Sequence, residues 1–216
     1  MSRRQHLSFS IVVSLLCLAL PALAGPAVTV NSDVNSIYNS GLGPYVLGWQ
    51  FSITAPIQVT SLGFWDYGGD GFSSAVDVGI WDNAPTPNLL ASISVSSTDA
   101  LTNVLADGSG FRFKGLGYSL WLQPGTYTVG GTNHNTESYL SYPASNVTYD
   151  PAVTWISGMY AYSEPLTFPV NQGGGTPAGW FGANFGIGTP EPGTIGLLLL
   201  GSGLLALLGR RRRSRP

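Results

Sequence analysis

The residues of this chain best suited to chemistry are its aspartates. Asp66 and Asp70 bracket the stretch Asp66-Tyr-Gly-Gly-Asp-Gly71, and Asp77 follows on the next extended segment. Carboxylates beside glycine-rich backbone carbonyls are the hard oxygen donors that Ca2+ takes, so Asp66, Asp70 and Asp77 form a candidate calcium site. The spacing is not that of an EF-hand loop, and a short Asp/Gly run also reads as an ordinary turn. Carboxylates could serve glycoside hydrolysis instead, which pairs two of them roughly 5 to 10 Å apart. The recurring Gly63-Phe-Trp-Asp66 and Gly79-Ile-Trp-Asp82 offers Asp66 and Asp82 for that role. If 57–66 and 75–82 pair as a hairpin, however, these acids lie at opposite ends of it, about 20 Å apart at ~3.4 Å per residue. Trp65 and Trp81 are separated in the same way and do not make one stacking platform.

Other catalytic groups are scarce. His134, in Gly130-Gly-Thr-Asn-His-Asn-Thr136, is the only histidine after the first 24 residues. It reads as part of a binding loop or as an exposed turn residue. The chain has no Gly-x-Ser-x-Gly elbow, no His-Glu-x-x-His and no phosphate loop. Its single cysteine, Cys17, lies near the N-terminus, which leaves the body without a disulfide, a thiolate nucleophile or a cysteine metal site. The expectation is a protein with no catalytic constellation and no cofactor other than calcium. Aromatics are abundant: Tyr139, Tyr142, Tyr149, Trp155, Tyr160 and Tyr162 fall in one stretch, with Trp180-Phe181 later. Rings set among Ser, Thr and Asn suit stacking on sugars, since their faces are apolar and their edges wet; they equally suit a sandwich core.

The elements that must position these residues are strands. Trp49, Phe51 and Ile53 alternate with Gln50, Ser52 and Thr54; Val76, Val78 and Ile80 alternate with Asp77, Gly79 and Trp81; Leu89, Ala91, Ile93 and Val95 alternate with Leu90 and serines. Period-two patterning of this kind marks half-buried strands. Ile57–Asp66, Phe111–Phe113, Leu120–Leu122, Tyr127–Val129, Trp155–Tyr162 and Trp180–Ile187 complete the set. Pro124-Gly125 suits the centre of a type II turn and predicts a hairpin between the flanking strands. No amphipathic helix is evident from Gly25 to Thr189. Eight or nine short strands punctuated by Gly and Pro predict an all-β fold, an antiparallel, jelly-roll-like β-sandwich, with a barrel as the alternative. Gly25–Gly43 is polar and is expected to wrap the outside; 171–177 reads as a flexible loop.

Both ends have the composition of processing segments. A basic head, an apolar run from Leu7 to Leu20 and the ending Ala22-x-Ala24 form a secretory signal peptide over 1–24, cleaved between Ala24 and Gly25. The region 25–188 is then one extracellular domain. From Gly25 to Thr189 there are ten acids and two bases, Arg112 and Lys114, a net charge of −8 that the whole-chain value of −2 conceals. Such a domain repels polyphosphate, which excludes nucleic acid as a partner. At the other end, 189–216, Pro190-Glu191-Pro192 precedes the 17 uncharged residues Gly193–Gly209. As a helix these span about 25 Å at ~1.5 Å per residue, enough for a transmembrane segment with snorkelling arginines. Arg210, Arg211, Arg212 and Arg213 place its C-terminal side in the cytoplasm. The prolines keep Pro-Glu-Pro extended and clear of the helix.

The order Pro190-Glu191-Pro192, Leu-rich span, arginines resembles the PEP-CTERM sorting signal of Gram-negative bacteria. That resemblance implies processing by an exosortase in the inner membrane and delivery to the cell surface or the extracellular polysaccharide matrix. A plain single-pass anchor is the alternative. A second resemblance covers roughly 45–130. Gly48-Trp-Gln-Phe-Ser-Ile, Ile57–Asp66, Val78-Gly-Ile-Trp-Asp82, Leu89-Leu-Ala-Ser-Ile and Leu122-Gln-Pro-Gly-Thr-Tyr127 are similar to an uncharacterised extracellular β-sandwich family. Its members often carry a histidine where this chain has Val76, so no role transfers from it. The combined expectation is an exported, non-enzymatic surface or matrix protein associated with polysaccharide; a secreted glycoside-active enzyme on the same scaffold is the alternative.

Overall fold

In the computed structural model, residues 25–31, 37–38, 44–133, 139–143, 147–173 and 178–188 are described. Ala24–Gly188 forms one compact unit. The two ends, 1–24 and 189–216, lie outside the described residues, and with them Ala24, Pro190, Glu191, Pro192, the 193–209 span and Arg210–Arg213. His134 also lies outside them.

Alternation in the sequence becomes alternation in space. Along Tyr45–Ile53, Trp49, Phe51 and Ile53 are buried, while Gln50 and Ser52 between them keep partial exposure. The described strands form two large sheets. One has five strands, in the order β1 (Gly25–Pro26), β16 (Ala183–Gly188), β5 (Ile57–Asp66), β9 (Gly110–Leu122) and β8 (Ala100–Thr102). The other has six: β14 (Asn171–Gly173), β13 (Thr154–Tyr162), β4 (Tyr45–Ile53), β10 (Gly125–Asn133), β6 (Val76–Asp82) and β7 (Leu89–Val95). Two small sheets join β15 (Ala178–Trp180), β11 (Tyr139–Pro143) and β3 (Ile37–Tyr38), and β12 (Val147–Tyr149) with β2 (Val28–Val30). Every pairing is antiparallel. The only helical turn among the described residues is a short 3-10 turn at Tyr67–Gly69. The fold is the antiparallel β-sandwich that the patterning predicts.

Aromatic side chains stitch the two large sheets together. Phe185 of β16 meets Phe51 of β4 at 4.8 Å between ring centroids and stacks on Trp49 at 5.8 Å. Trp49 also donates from Nε1 to the Ala183 carbonyl at 2.8 Å, a buried hydrogen bond across the sandwich. Phe64 of β5 lies where two glycines admit it: a Cβ on Gly131 or on Gly182 would fall 2.8 or 2.7 Å from its ring.

Three expectations about strand partnership are corrected. Segments 57–66 and 75–82 are not a hairpin, because β5 belongs to the five-stranded sheet and β6 to the six-stranded one. The intervening residues, with their 3-10 turn, cross between sheets instead of reversing within one. Likewise, Pro124-Gly125 turns the chain but joins β9 to β10 in the opposite sheet. Tyr127 fastens that crossing by donating its hydroxyl to the Gln123 carbonyl at 2.7 Å. A tyrosine bonded back to backbone a few residues upstream is a corner device of β-sandwiches. Finally, the described opening of the domain, 25–31, does not wrap the outside. Ala27, Val28 and Val30 are core residues. β1 pairs with β16, β2 pairs with β12, and the Asn184 side chain grips both the N–H and the C=O of Val28, at 3.2 and 2.8 Å. The polar composition of 25–43 hid these three apolar residues.

Candidate functional site

Asp66 ends β5 and is 1 % exposed. Its register partner is Gly110, so Arg112 stands two residues along β9, opposite Phe64 and on the same side of the sheet as Asp66. Arg112 donates from Nε to Asp66 Oδ2 at 2.6 Å. Its other two nitrogens donate to the carbonyls of Asp99 and Gly69, at 2.9 and 3.2 Å. The Gly71 amide adds a hydrogen bond to the same carboxylate. The guanidinium thus gives the buried Asp66 carboxylate a positive partner at Oδ2. Asp70 is exposed beyond the turn, and Asp77, on β6, accepts a hydrogen bond from the Ser94 hydroxyl. Among the described residues no three His, Cys, Asp or Glu side chains gather as a metal-binding group.

Asp82 ends β6. It accepts from the Asn88 side chain at 2.9 Å, the Asn88 amide at 2.8 Å and the Ala84 amide at 3.4 Å. These bonds, led by that from the Asn88 side chain, hold its carboxyl below the usual value. Asp66 and Asp82 therefore sit in different sheets with different partners, and each is engaged as an acceptor. Trp65 and Trp81 are also accounted for. Trp65 is 1 % exposed and meets Phe111 edge-on at 4.9 Å. Trp81 is 4 % exposed and packs edge-on against Phe168. Phe168 belongs to the 163–170 segment, whose Leu166 and Pro169 lie over Gly79 and Gly130, a glycine pair across β6 and β10.

The aromatic-rich stretch divides. Tyr149 and Phe181 turn inward around Trp49, with centroids 6.2 and 6.1 Å from its ring. Burial pushes the Tyr149 hydroxyl up to about 12, and it has no hydrogen-bond partner among the described residues. Trp155 is half-buried, with its Nε1 likewise unpartnered. The side chains of Tyr139 and Tyr142 lie outside the described residues. Tyr160, Tyr162 and Trp180 form a continuous strip with a fourth ring, Tyr45. Tyr45 and Tyr162 are a cross-strand pair at 5.0 Å, Tyr162 meets Tyr160 at 5.6 Å, and Tyr160 meets Trp180 edge-on at 5.4 Å. The Trp180 ring lies over Gly158, where a Cβ would come within 3.2 Å of it. Tyr162 is 71 % exposed. Sequence reasoning missed Tyr45, which lies at the far end of the chain from the other three. Its only signal was its place at the head of an alternating strand.

Residues 189–213 match the family model of the PEP-CTERM protein-sorting motif. The match covers the Pro-Glu-Pro sequence, the apolar run and the arginines, and it supports export and sorting to the cell surface through the exosortase pathway. No curated protein matches the chain. Among the described residues no helix is long and apolar enough to cross a membrane.

Proposed function

We propose that the protein is a non-enzymatic surface module that binds extracellular polysaccharide through the strip Tyr45–Tyr162–Tyr160–Trp180. The observation that carries this reading is the exposure of Tyr162 at the head of a chain of touching rings. Isolated surface aromatics are ordinary, but linked rings hold one another in fixed orientation. A ring held this way lies ready to stack on a sugar without losing further side-chain freedom. The sorting motif brings the sandwich to the surface where such polymers lie. Before processing, the 193–209 span holds the precursor in the inner membrane with Arg210–Arg213 on the cytoplasmic side. The test is a glycan array probed with the piece 25–188 beside its Tyr162→Ala variant. Binding to one sugar class, weakened about tenfold by the substitution, is the expected result. An array on which the unaltered piece binds nothing, or binds equally after Tyr162→Ala, removes the reading.

A further inference from the structure

Trp121 lies on β9 between Leu120 and the buried Leu122, and it points away from the core. Its register partner is Gln58, and Gln58 in turn faces Gly188. Trp121, Gln58 and Gly188 thus form a row across three strands on the outer face of the five-stranded sheet. Trp121 is 47 % exposed. The Gln58 amide donates to the Ser119 hydroxyl at 2.5 Å, which holds both polar groups beside the indole. Gly188 is buried beneath its neighbours: a Cβ there would fall 2.7 Å from Thr60 Cγ2 and 3.0 Å from Gln58 Oε1, so its missing side chain lets Thr60 and Gln58 lie close over the strand. The result is a flat indole next to an amide and two hydroxyls.

The strand edge here is also shaped. Val59 faces Leu120 and Ser61 faces Gly115, so Leu116–Ser119 all stand opposite Thr60 alone. Gly117, at φ +76°, lets the chain turn outward, and Tyr118 on this bulge is 56 % exposed. The neighbouring strand β8 pairs only as far as Phe113, and past that point no described strand covers β9. A bulged edge does not template the addition of another strand. The face therefore offers side chains rather than backbone. None of Gln58, Thr60, Tyr118, Ser119 and Trp121 carries a charge, and the domain around them is acidic. An anionic polymer is repelled by such a domain, whereas a neutral one can lay its apolar ring face on the indole and its hydroxyls on the amide.

We infer that this face is a second sugar platform, specific for neutral polysaccharide, and that one molecule bridges two polymer chains. The inference rests on the reading of the Tyr160–Tyr162 strip given above. Tyr162 pairs with Tyr45, the first residue of β4; Gly125, just past Trp121 in sequence, pairs with Ile53, the last. The two sites thus lie toward opposite ends of the sandwich, on the order of 25 Å apart at ~3.4 Å per residue along β4.

The test uses the mature chain in detergent with hydroxyethylcellulose and dextran as neutral polymers and alginate as the anionic one. Mobility in polymer-containing gels reports binding, and turbidity on mixing reports bridging. Expected are retardation and turbidity with a neutral polymer and neither with alginate. Trp121→Ala and Tyr162→Ala should each abolish turbidity and weaken retardation about tenfold, while Trp121→Tyr keeps both. Trp121 is an exposed residue, so Trp121→Ala should keep the fold, which an unchanged circular-dichroism spectrum and melting temperature verify. If Trp121→Ala bridges like the unaltered chain while Tyr162→Ala loses binding, the second platform falls and the first reading stands. If no neutral polymer retards the unaltered chain, both fall. If light scattering without polymer shows that Trp121→Ala dissociates a dimer, the face is a contact between copies, and the inference is overturned.

Discussion

Arg112 explains why Asp66 is tolerated inside the sandwich. A buried carboxylate needs a compensating charge, and Arg112, one of only two basic residues from Gly25 to Thr189, supplies it with three of its own donors satisfied. Removing one member of such a pair leaves a buried charge exposed to nothing that solvates it. Arg112→Met should therefore lower unfolding stability by about 3 to 5 kcal/mol in urea titrations. EDTA should leave the melting temperature of the unaltered protein where it was, because Asp66 has its cation already. A fall in melting temperature on chelation would show that a metal, and not Arg112 alone, neutralises the turn. Sequence inspection found the acid but not its partner, since 46 positions separate them and only strand register brings them together. The one legible hint was scarcity: a lone arginine in an acidic domain has many acids available to it, and spacing does not say which one it takes.

Strands were legible as elements because burial on one face writes itself as alternation, and β4, β6 and β7 carry it plainly. Their partners were not legible. Pro124-Gly125 specifies that the chain reverses, and turn chemistry ends there; the choice between a hairpin and a crossing to the other sheet is made by packing on Phe51, Tyr127 and their neighbours. The opening strands were missed for a different reason. Three apolar residues, Ala27, Val28 and Val30, are too few to rise above a polar background. What anchors them is Asn184, a polar residue in a buried strand whose amide serves Val28 twice and the Phe185 N–H once. Asn184→Ala should cost about 3 kcal/mol, read as a lower urea midpoint with unchanged slope, because it strands buried backbone groups. An unchanged midpoint would mean that the first strands are held by their apolar side chains alone.

At the scale of the whole molecule, the sorting tail was the most legible part, because its order of motif, span and arginines lies in consecutive residues and needs no tertiary contact to be read. Glu191 supplies the one charge of Pro190-Glu191-Pro192, and replacing it alters neither the apolar run nor the arginines. Glu191→Ala should thus leave membrane insertion intact and impair maturation, followed as the size and location of the tagged protein in cells with and without an exosortase. Neutralising Arg210–Arg213 should disturb topology first. Persistence of the full-length form in both cell types, whatever residue 191 is, would reduce the tail to an anchor. The aromatic strip was half legible: composition flagged Tyr160, Tyr162 and Trp180, but only the fold adds Tyr45. The pairing of β1 with β16 also sets an order in time. Val28 is held by a side chain 156 positions downstream, and β16 lies between β1 and β5 in its sheet. A chain threaded out from its first residue to its last leaves β1 without a partner until the final strand of the domain has emerged, while β2 waits only for β12. Contacts so distant in sequence form slowly. Closure of the sandwich is therefore one of the last events in its making, and a chain cut short before Ala183 has no way to complete it.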